Sequence, residues 1–243
     1  MKKTAQKFSI LASLLFVVLL SACSRDNGPI EIIDPTIDNA GGDPNGTELN
    51  GQINEDRSLN ASQTYSLTGT LSVEPGTTLT IPAGTKINAS TGTDIYIVVQ
   101  KGGKINVDGT RSNPVIMSSA NGNSGDWGGL VIAGNAETTE GANATAEVGG
   151  IVYGGTDDND NSGSLNYLII EGAGAQINAE SQYNGLSLYA VGKGTSIQNI
   201  AILNGADDGV EFFGGSVAIT NLYLENNEDD AVDWTEGWKG SVT

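Results

Sequence analysis

Two acidic segments near the C-terminus of the 243-residue chain repeat each other at a constant distance of 22 residues. The first contains NGADDGVEFF from Asn204, and the second contains NNEDDAVDWT from Asn226. The matched positions are Asn199 and Asn221, Asn204 and Asn226, Asp207 and Asp229, Asp208 and Asp230, Val210 and Val232, and Phe212 and Trp234. A repeat of this length fits one coil of a β-solenoid, because each coil must go round once and stack on the previous one.

The chain beyond about residue 63 consists of brief apolar alternations between glycine turns, with no sustained helical period. LSVEPG at Leu71 is echoed eight residues later by LTIPAG at Leu79, which marks one short strand and its turn. Leucine-rich repeats need a recurring Leu and Asn frame that is missing here, and a β-sandwich does not predict a fixed offset. The sequence therefore predicts an all-β fold, a parallel β-helix with about 22 residues per coil.

The N-terminal segment has the pattern of an export signal. Three lysines precede an apolar stretch from Phe8 to Leu20, which is too short to be read as a membrane span. Cys23 is the only cysteine of the chain and ends the sequence Leu20-Ser-Ala-Cys, which matches a bacterial lipobox. We therefore predict a lipoprotein signal peptide at residues 1–22 and a lipid anchor on Cys23 that attaches the protein to a membrane.

Residues 23–62 are rich in Asn, Asp, Gly and Pro, which predicts a polar tether ahead of a β-helix domain at residues 63–243. The chain carries 29 acidic and 11 basic residues, for a formal net charge of −18. Such a surface repels phosphate backbones, so the charge argues against nucleic acid as a partner. Cations and cationic or neutral ligands are favoured instead.

Five segments of the chain resemble a family of right-handed parallel β-helix proteins, found as secreted or lipid-anchored surface proteins of Bacteroidetes and other Gram-negative bacteria. The resemblance covers about residues 65–243 and implies a right-handed β-helix at the outer membrane, on its cell-surface or periplasmic face. The family has no settled activity, and its chains usually continue further, so we expect this sequence to be truncated. The segments are GDWGGLVIAGNA from Gly125, DDNDNSGSLNYLIIEGAG from Asp157, NGLSLYAVGKGTSIQNI from Asn184, DDGVEFFGG from Asp207 and DDAVDWTEGWKG from Asp229.

The repeated acidic residues are predicted to form one surface patch. On a strand, Val210 and Phe212 would face the interior and Glu211 the outside, and Val232 and Trp234 would face inward in the same way. Stacking then places Glu211 over Asp233, Asp207 over Asp229 and Asp208 over Asp230, about 4.8 Å apart. Like charges at this distance call for a cation, a shared proton or splaying into water. Ca²⁺ is the candidate cofactor, since it prefers carboxylate and carbonyl oxygens.

A second candidate calcium site lies in the long loop between Ala133 and Ser164. Asp158 and Asp160 stand in the sequence DNDNSG, which matches the first half of a calcium-loop pattern. The twelfth position is Ile169 rather than Glu, so the loop is not an EF-hand. A flexible polar loop is the alternative interpretation.

Parallel β-helices also host lyases and hydrolases of acidic polysaccharides, and a pair of acids after a strand is typical of the hydrolases. Those hydrolases also use Gly-His-Gly and Arg-x-Lys elements, and this chain has no histidine and no Arg-x-Lys. Lyases need a Lys or Arg base, and only Lys239 follows the acidic repeat. These absences count against an enzyme, and a calcium-dependent polysaccharide lyase or glycoside hydrolase is kept as the alternative function.

Among the aromatic residues, Phe212 and Trp234 are predicted to fill the interior, and Trp238 is the candidate for an exposed, ligand-binding position. We interpret the chain as a lipid-anchored β-helix that acts as a non-catalytic binding or structural module. Its predicted ligands are divalent cations, with a glycan or an outer-membrane receptor as further partners.

Overall fold

The computed structural model describes residues 46–179 and 181–243, and every regular element in this part is a strand. The strands are β1 (Glu48–Ile53), β2 (Arg57–Ser58), β3 (Thr64–Val73), β4 (Thr78–Pro82), β5 (Lys86–Ala89), β6 (Ile97–Val99), β7 (Lys104–Asp108), β8 (Val115–Ser119), β9 (Leu130–Ala133), β10 (Ala144–Thr145), β11 (Val152–Tyr153), β12 (Gly163–Glu171), β13 (Leu186–Tyr189), β14 (Ser196–Leu203), β15 (Val210–Phe213), β16 (Ile219–Glu225) and β17 (Val232–Thr235). The predicted signal peptide, Cys23 and the first half of the predicted tether lie outside the described residues. No helix in this part is long and apolar enough to cross a lipid bilayer.

Parallel pairing joins 15 of these strands into the coils of a right-handed parallel β-helix, which confirms the predicted fold class. The strands stack on three faces. Face A contains β6, β9, β13, β15 and β17 in this order, and β3 enters it with residues 71–73. Face B stacks β2, β4, β7 and the first parts of β12, β14 and β16, whose second parts continue into face C beside β5 and β8.

The predicted register is confirmed in the last coils. Val210 pairs with Val232 and Glu211 with Asp233, and hydrogen bonds join Asn199 to Asn221 and Asn204 to Asn226, in both cases 22 residues apart. The offset is not constant along the chain, because Ile105 pairs with Leu79 on one side and with Gly163 on the other. The longer step reflects the loop between β9 and β12.

Asparagines form the corner between faces B and C. Asn199 and Asn221 adopt positive φ angles of 57° and 58°, a conformation that asparagine tolerates better than most residues with a side chain. The amide of Asn221 donates to Asn199 Oδ1 at 3.0 Å, and that of Asn199 donates to Asn166 Oδ1 at 2.8 Å. The corner therefore bends each coil and also links it to its neighbours.

Residues 134–162, here called the insertion, form a separate layer over the outside of face A. Val98 and Val131 point away from the interior of the β-helix, yet both are buried, because Val148 and Ile151 of the insertion pack in the same second apolar cluster. The insertion contains the antiparallel pair β10 and β11. One apolar core thus fills the β-helix, and a second one fixes the insertion to its outer surface.

The β-helix begins earlier than predicted. β1 pairs with β3 in parallel, and Leu49 and Ile53 are buried in the main core, so residues assigned to the tether belong to the first coil. The sequence signal was weak because the strand ELNGQI alternates only two apolar residues with polar ones and a glycine. Its place in the fold is determined by pairing with β3 rather than by its own composition.

Candidate metal centre

The candidate site lies at outward-facing positions of the last three strands of face A and in the turns that lead into β15 and β17. β13 and β15 pair Ser187 with Glu211, and β15 and β17 pair Glu211 with Asp233. Val210 and Phe212 are fully buried on either side of Glu211, as the alternation of a strand requires. The acidic side chains of successive coils are therefore stacked on one surface, which we call the carboxylate ladder: Asp207, Asp208, Glu211, Asp229 and Asp233.

Two groups of three carboxylates make up the ladder. Asp207, Asp208 and Asp229 form one, and Asp208, Glu211 and Asp233 form the other, with one oxygen from each residue of a group within 4.8 Å of the others. Asp208 belongs to both groups. Five of the six carboxylates predicted to share a patch are therefore brought together.

Asp230, the sixth predicted carboxylate, belongs to neither group. Its backbone N–H donates instead to Asp208 Oδ1 at 2.9 Å across the two coils. This bond orients the carboxylate of Asp208, which is only 7% exposed, so Asp230 supports the site through its main chain.

Asn184 and Ser187 adjoin the ladder and were missed by the sequence analysis. Asn184 Nδ2 donates to Glu211 Oε2 at 2.7 Å, and Asn184 and Ser187 are almost completely buried. Asn184 Oδ1 is buried without a hydrogen-bond partner. A signal for them exists, because NGLS from Asn184 has the spacing of DGVE from Asp208 and DAVD from Asp230. Its neutral side chains hid it from a search for acidic residues.

Burial and crowding of negative charge raise the pKa of three ladder carboxyls, those of Asp207, Asp208 and Glu211. The pKa of Asp207 rises to about 6, first through burial and then through Asp208 and Asp229. Burial also raises the pKa of Asp208 to about 6 and that of Glu211 to about 8, with neighbouring acids adding to the shift. No Lys or Arg of the described residues is recorded as an ion-pair partner of these three groups. No basic side chain thus neutralises the acidic groups of the ladder, and without a bound cation these carboxyls hold protons more strongly than usual.

These shifts predict that the protein without divalent cations becomes less stable as the pH rises. Folded Glu211 holds its proton up to about pH 8, whereas the usual pKa is 4.5, so the folded state binds more protons in this range. The associated stability is present at low pH and is lost as the pH rises through about 8. In EDTA, the Tm should therefore fall between about pH 5 and pH 9, and Glu211→Gln should reduce the fall and raise the Tm at the alkaline end.

Glu55→Gln is the matched control, because Glu55 is exposed and far from the ladder in the first coil. It removes one negative charge from the whole protein but none from the ladder. Equal effects of Glu55→Gln and Glu211→Gln on the alkaline Tm would show that the loss of stability comes from overall charge and not from the ladder.

The second predicted calcium site is not assembled as a carboxylate group. Asp158 Oδ1 accepts from the backbone N–H of Glu137 at 3.3 Å, and its Oδ2 lies 3.5 Å from Lys239 Nζ. Asp160 Oδ2 accepts from the hydroxyl of Ser162 at 3.4 Å, and burial raises the pKa of Asp160. Within the described part of the chain, neither residue belongs to a group of three close acidic side chains. The two aspartates instead hold the end of the insertion in place.

The two C-terminal tryptophans have the opposite environments from those predicted. Trp234 pairs in register with Phe212 but is 62% exposed. Trp238 is partly buried, stacks on Phe212 with ring centroids 4.1 Å apart, and donates from Nε1 to the carbonyl of Val217 at 3.0 Å. The turn through Glu236 and Gly237, both at positive φ, brings Trp238 back over Phe212. Trp238 is therefore a packing residue and does not have the exposed position that we expected.

Comparison with protein families gives a match over most of the chain. The family model of the pectate-lyase-like β-helix domain matches residues 51–243, which is well over half of the chain and begins within β1. No curated protein and no solved structure matches the chain. The match agrees with the coiled architecture, and the chemistry of the site has to be inferred from its own residues.

Proposed function

We propose that this chain, which belongs to the family of pectate-lyase-like β-helix domains, is a non-catalytic binding and structural module. In this proposal it takes up a divalent cation at the carboxylate ladder. One observation supports the proposal above all others. Asp208 belongs to two groups of three carboxylates, and within each group one oxygen from each residue lies within 4.8 Å of the others. Two unit charges at this separation repel by about 3 kcal/mol at an effective dielectric constant near 20. A bound cation would turn this repulsion between coils into attraction.

Calcium is the proposed ion because the available ligands are oxygens. The carboxylates of the ladder lie beside the buried Oδ1 of Asn184, which lacks a hydrogen-bond partner. The chain has no histidine, and its only cysteine is Cys23, so the ligands that zinc prefers are missing. Calcium accepts six to eight oxygens in irregular arrangements, whereas magnesium demands a near-ideal octahedron. A ladder built from two coils and one amide suits the more tolerant ion.

Calorimetric titration of the full-length protein in detergent tests this function. After treatment with EDTA, at a pH above about 8 where Glu211 is ionised, CaCl2 should give saturable binding and raise the Tm, because a ligand of the folded state stabilises it. MgCl2 should bind more weakly. Absence of saturable calcium binding, together with an unchanged Tm, would refute the proposal.

Anchoring through Cys23 at the outer membrane is also part of the proposed function, and it is supported by the lipobox sequence. In a Gram-negative host, the unaltered protein should incorporate labelled palmitate and fractionate with the outer membrane. Cys23→Ser should abolish the label and release the protein from the membrane fraction. Retention of the label in Cys23→Ser would contradict the anchor.

A calcium-dependent polysaccharide lyase is the second candidate, because the family takes its description from pectate lyases. Against it, no Lys or Arg of the described residues is recorded as a hydrogen-bond or ion-pair partner of the ladder, where a lyase would need its base. Incubation with acidic polysaccharides and calcium distinguishes the two functions. Release of unsaturated sugar ends that is lost in Asp208→Asn would identify an enzyme, whereas retention of an intact glycan would identify a binding module.

A further inference from the structure

A pocket of about 380 Å³ opens between the insertion and the last coils of face A, beside the carboxylate ladder. Three glutamates line it, Glu140, Glu147 and Glu236, together with the aromatic residues Tyr153, Tyr189 and Phe213. Its volume falls in the range of about 300–1,000 Å³ that is typical of small-molecule sites. No Lys or Arg is among its lining residues, so the pocket is negatively charged.

The carboxylate of Glu236 is held in a fixed position. It accepts hydrogen bonds from the hydroxyl of Tyr153 at 2.8 and 2.9 Å and from that of Thr138 at 2.6 Å. Glu147 also lines the pocket, and although part of its side chain is exposed, partial desolvation together with the charge of Glu236 raises its pKa. The pocket therefore contains the carboxylate of Glu236, which is held in place by hydrogen bonds, and the carboxylate of Glu147, whose pKa is raised in part by the charge of Glu236.

Tyr189 is independent evidence for a ligand. The residue is 1% exposed, and its ring stacks on Phe213 with centroids 4.0 Å apart and tilts against Tyr153 at 4.9 Å. No hydrogen bond is recorded between its hydroxyl and the described residues, although Tyr189 lines the pocket. The side chain is almost completely buried, yet it reaches the pocket. A hydroxyl that meets a cavity without a protein partner is a group that a ligand contact would satisfy.

The spacing of the carboxylates distinguishes the ligand from a metal ion. Among the described residues, groups of three acidic side chains with oxygens within 4.8 Å occur only in the ladder, and Glu140, Glu147 and Glu236 do not form one. A bare metal ion would not bridge three carboxylates that are too far apart to coordinate it together. A cation spread over several atoms can contact them separately, with its carbon atoms against Phe213.

We propose that this pocket binds a small organic cation, an ammonium or guanidinium group on a compact body, with Glu147 and Glu236 as its charged partners and the Tyr189 hydroxyl as a further hydrogen-bond partner. Such a group supplies several N–H donors, and charge-assisted hydrogen bonds to carboxylates are stronger than neutral ones. This site is separate from the proposed calcium site and does not require it.

Titration of the full-length protein in detergent and EDTA with agmatine and with glucosamine tests the proposal, and N-acetylglucosamine serves as the neutral counterpart of glucosamine. We expect saturable binding of at least one of the two cations at one site per chain and none of N-acetylglucosamine. Glu147→Gln and Glu236→Gln should each weaken binding by at least about tenfold, and Tyr189→Phe by about threefold to tenfold. Among the described residues, no hydrogen bond of the Glu147 side chain is recorded, so Glu147→Gln should leave the fold intact.

Two controls separate a built site from general attraction to a negative protein. Glu55→Gln removes the same charge at a distant exposed position and should leave binding unchanged. Asp208→Asn should lower the calcium affinity by at least about 100-fold while largely preserving binding of the organic cation, so failure of one proposal is distinguishable from failure of the other. No binding of either cation, equal binding of N-acetylglucosamine, or unchanged binding in both Glu147→Gln and Glu236→Gln would overturn the assignment.

Discussion

Asp208→Asn should lower the affinity for calcium by at least about 100-fold. Removing a residue that only hydrogen-bonds to a metal ligand typically lowers metal affinity by about 10–100-fold. Asp208 is proposed as a ligand itself and is common to both groups of the ladder, so its loss should have at least the upper effect. The substitution removes one charge but keeps an oxygen that can accept from the backbone N–H of Asp230. Calorimetric titration with CaCl2 at a pH above about 8, where Glu211 is ionised, measures the change.

Asp108→Asn provides the matched control for this experiment. Asp108 is an exposed aspartate at the end of β7 on face B, and the change is chemically identical. It should leave calcium affinity within about twofold, since surface charges beyond a Debye length of about 8 Å are largely screened at physiological salt. If Asp208→Asn and Asp108→Asn bind calcium equally well, the ladder is not the calcium site.

Trp127→Ala should destabilise the protein by about 3–5 kcal/mol, because it leaves a large cavity in the main core. Trp127 has no exposed surface, and its Nε1 donates to the carbonyl of Glu171 at 2.9 Å, which joins the segment before β9 to the end of β12. The substitution also leaves that carbonyl without its partner, which adds to the loss. Urea unfolding followed by circular dichroism measures the free energy of unfolding, provided that the transition is two-state.

Trp127→Phe is the graded comparison for the cavity. It keeps most of the buried ring but removes the N–H donor, so it should cost less than Trp127→Ala and more than a surface substitution. A loss of under about 1 kcal/mol in Trp127→Ala would show that the core closes around the missing side chain, which would contradict the close packing of the coils.

The acidic ladder was predictable because it depends on one local regularity. In a parallel stack, equal spacing along the chain becomes proximity between coils, so the offset of 22 residues placed Glu211 beside Asp233. The same reasoning failed for Asp230, whose side chain lies outside both groups. Spacing determines which residues are neighbours, but the rotamer of each side chain depends on its surroundings.

Other features could not be read from a repeat. Trp238 lies over Phe212 because a turn with two residues at positive φ reverses the chain, and spacing does not predict that turn. The pocket beside the ladder is formed by Glu147 of the insertion and by Glu236, which follows β17. These residues are close together only because the insertion folds back over face A.

The sequence by itself determined the coil, the outward direction of Glu211 and the accumulation of negative charge between coils, because alternation and stacking depend on local backbone geometry and a constant spacing. Only the tertiary structure decided where the first coil begins, which tryptophan is buried and how the insertion creates the pocket at Tyr189. These features depend on close packing between segments that are far apart in the chain, and the sequence of one segment alone does not determine that packing.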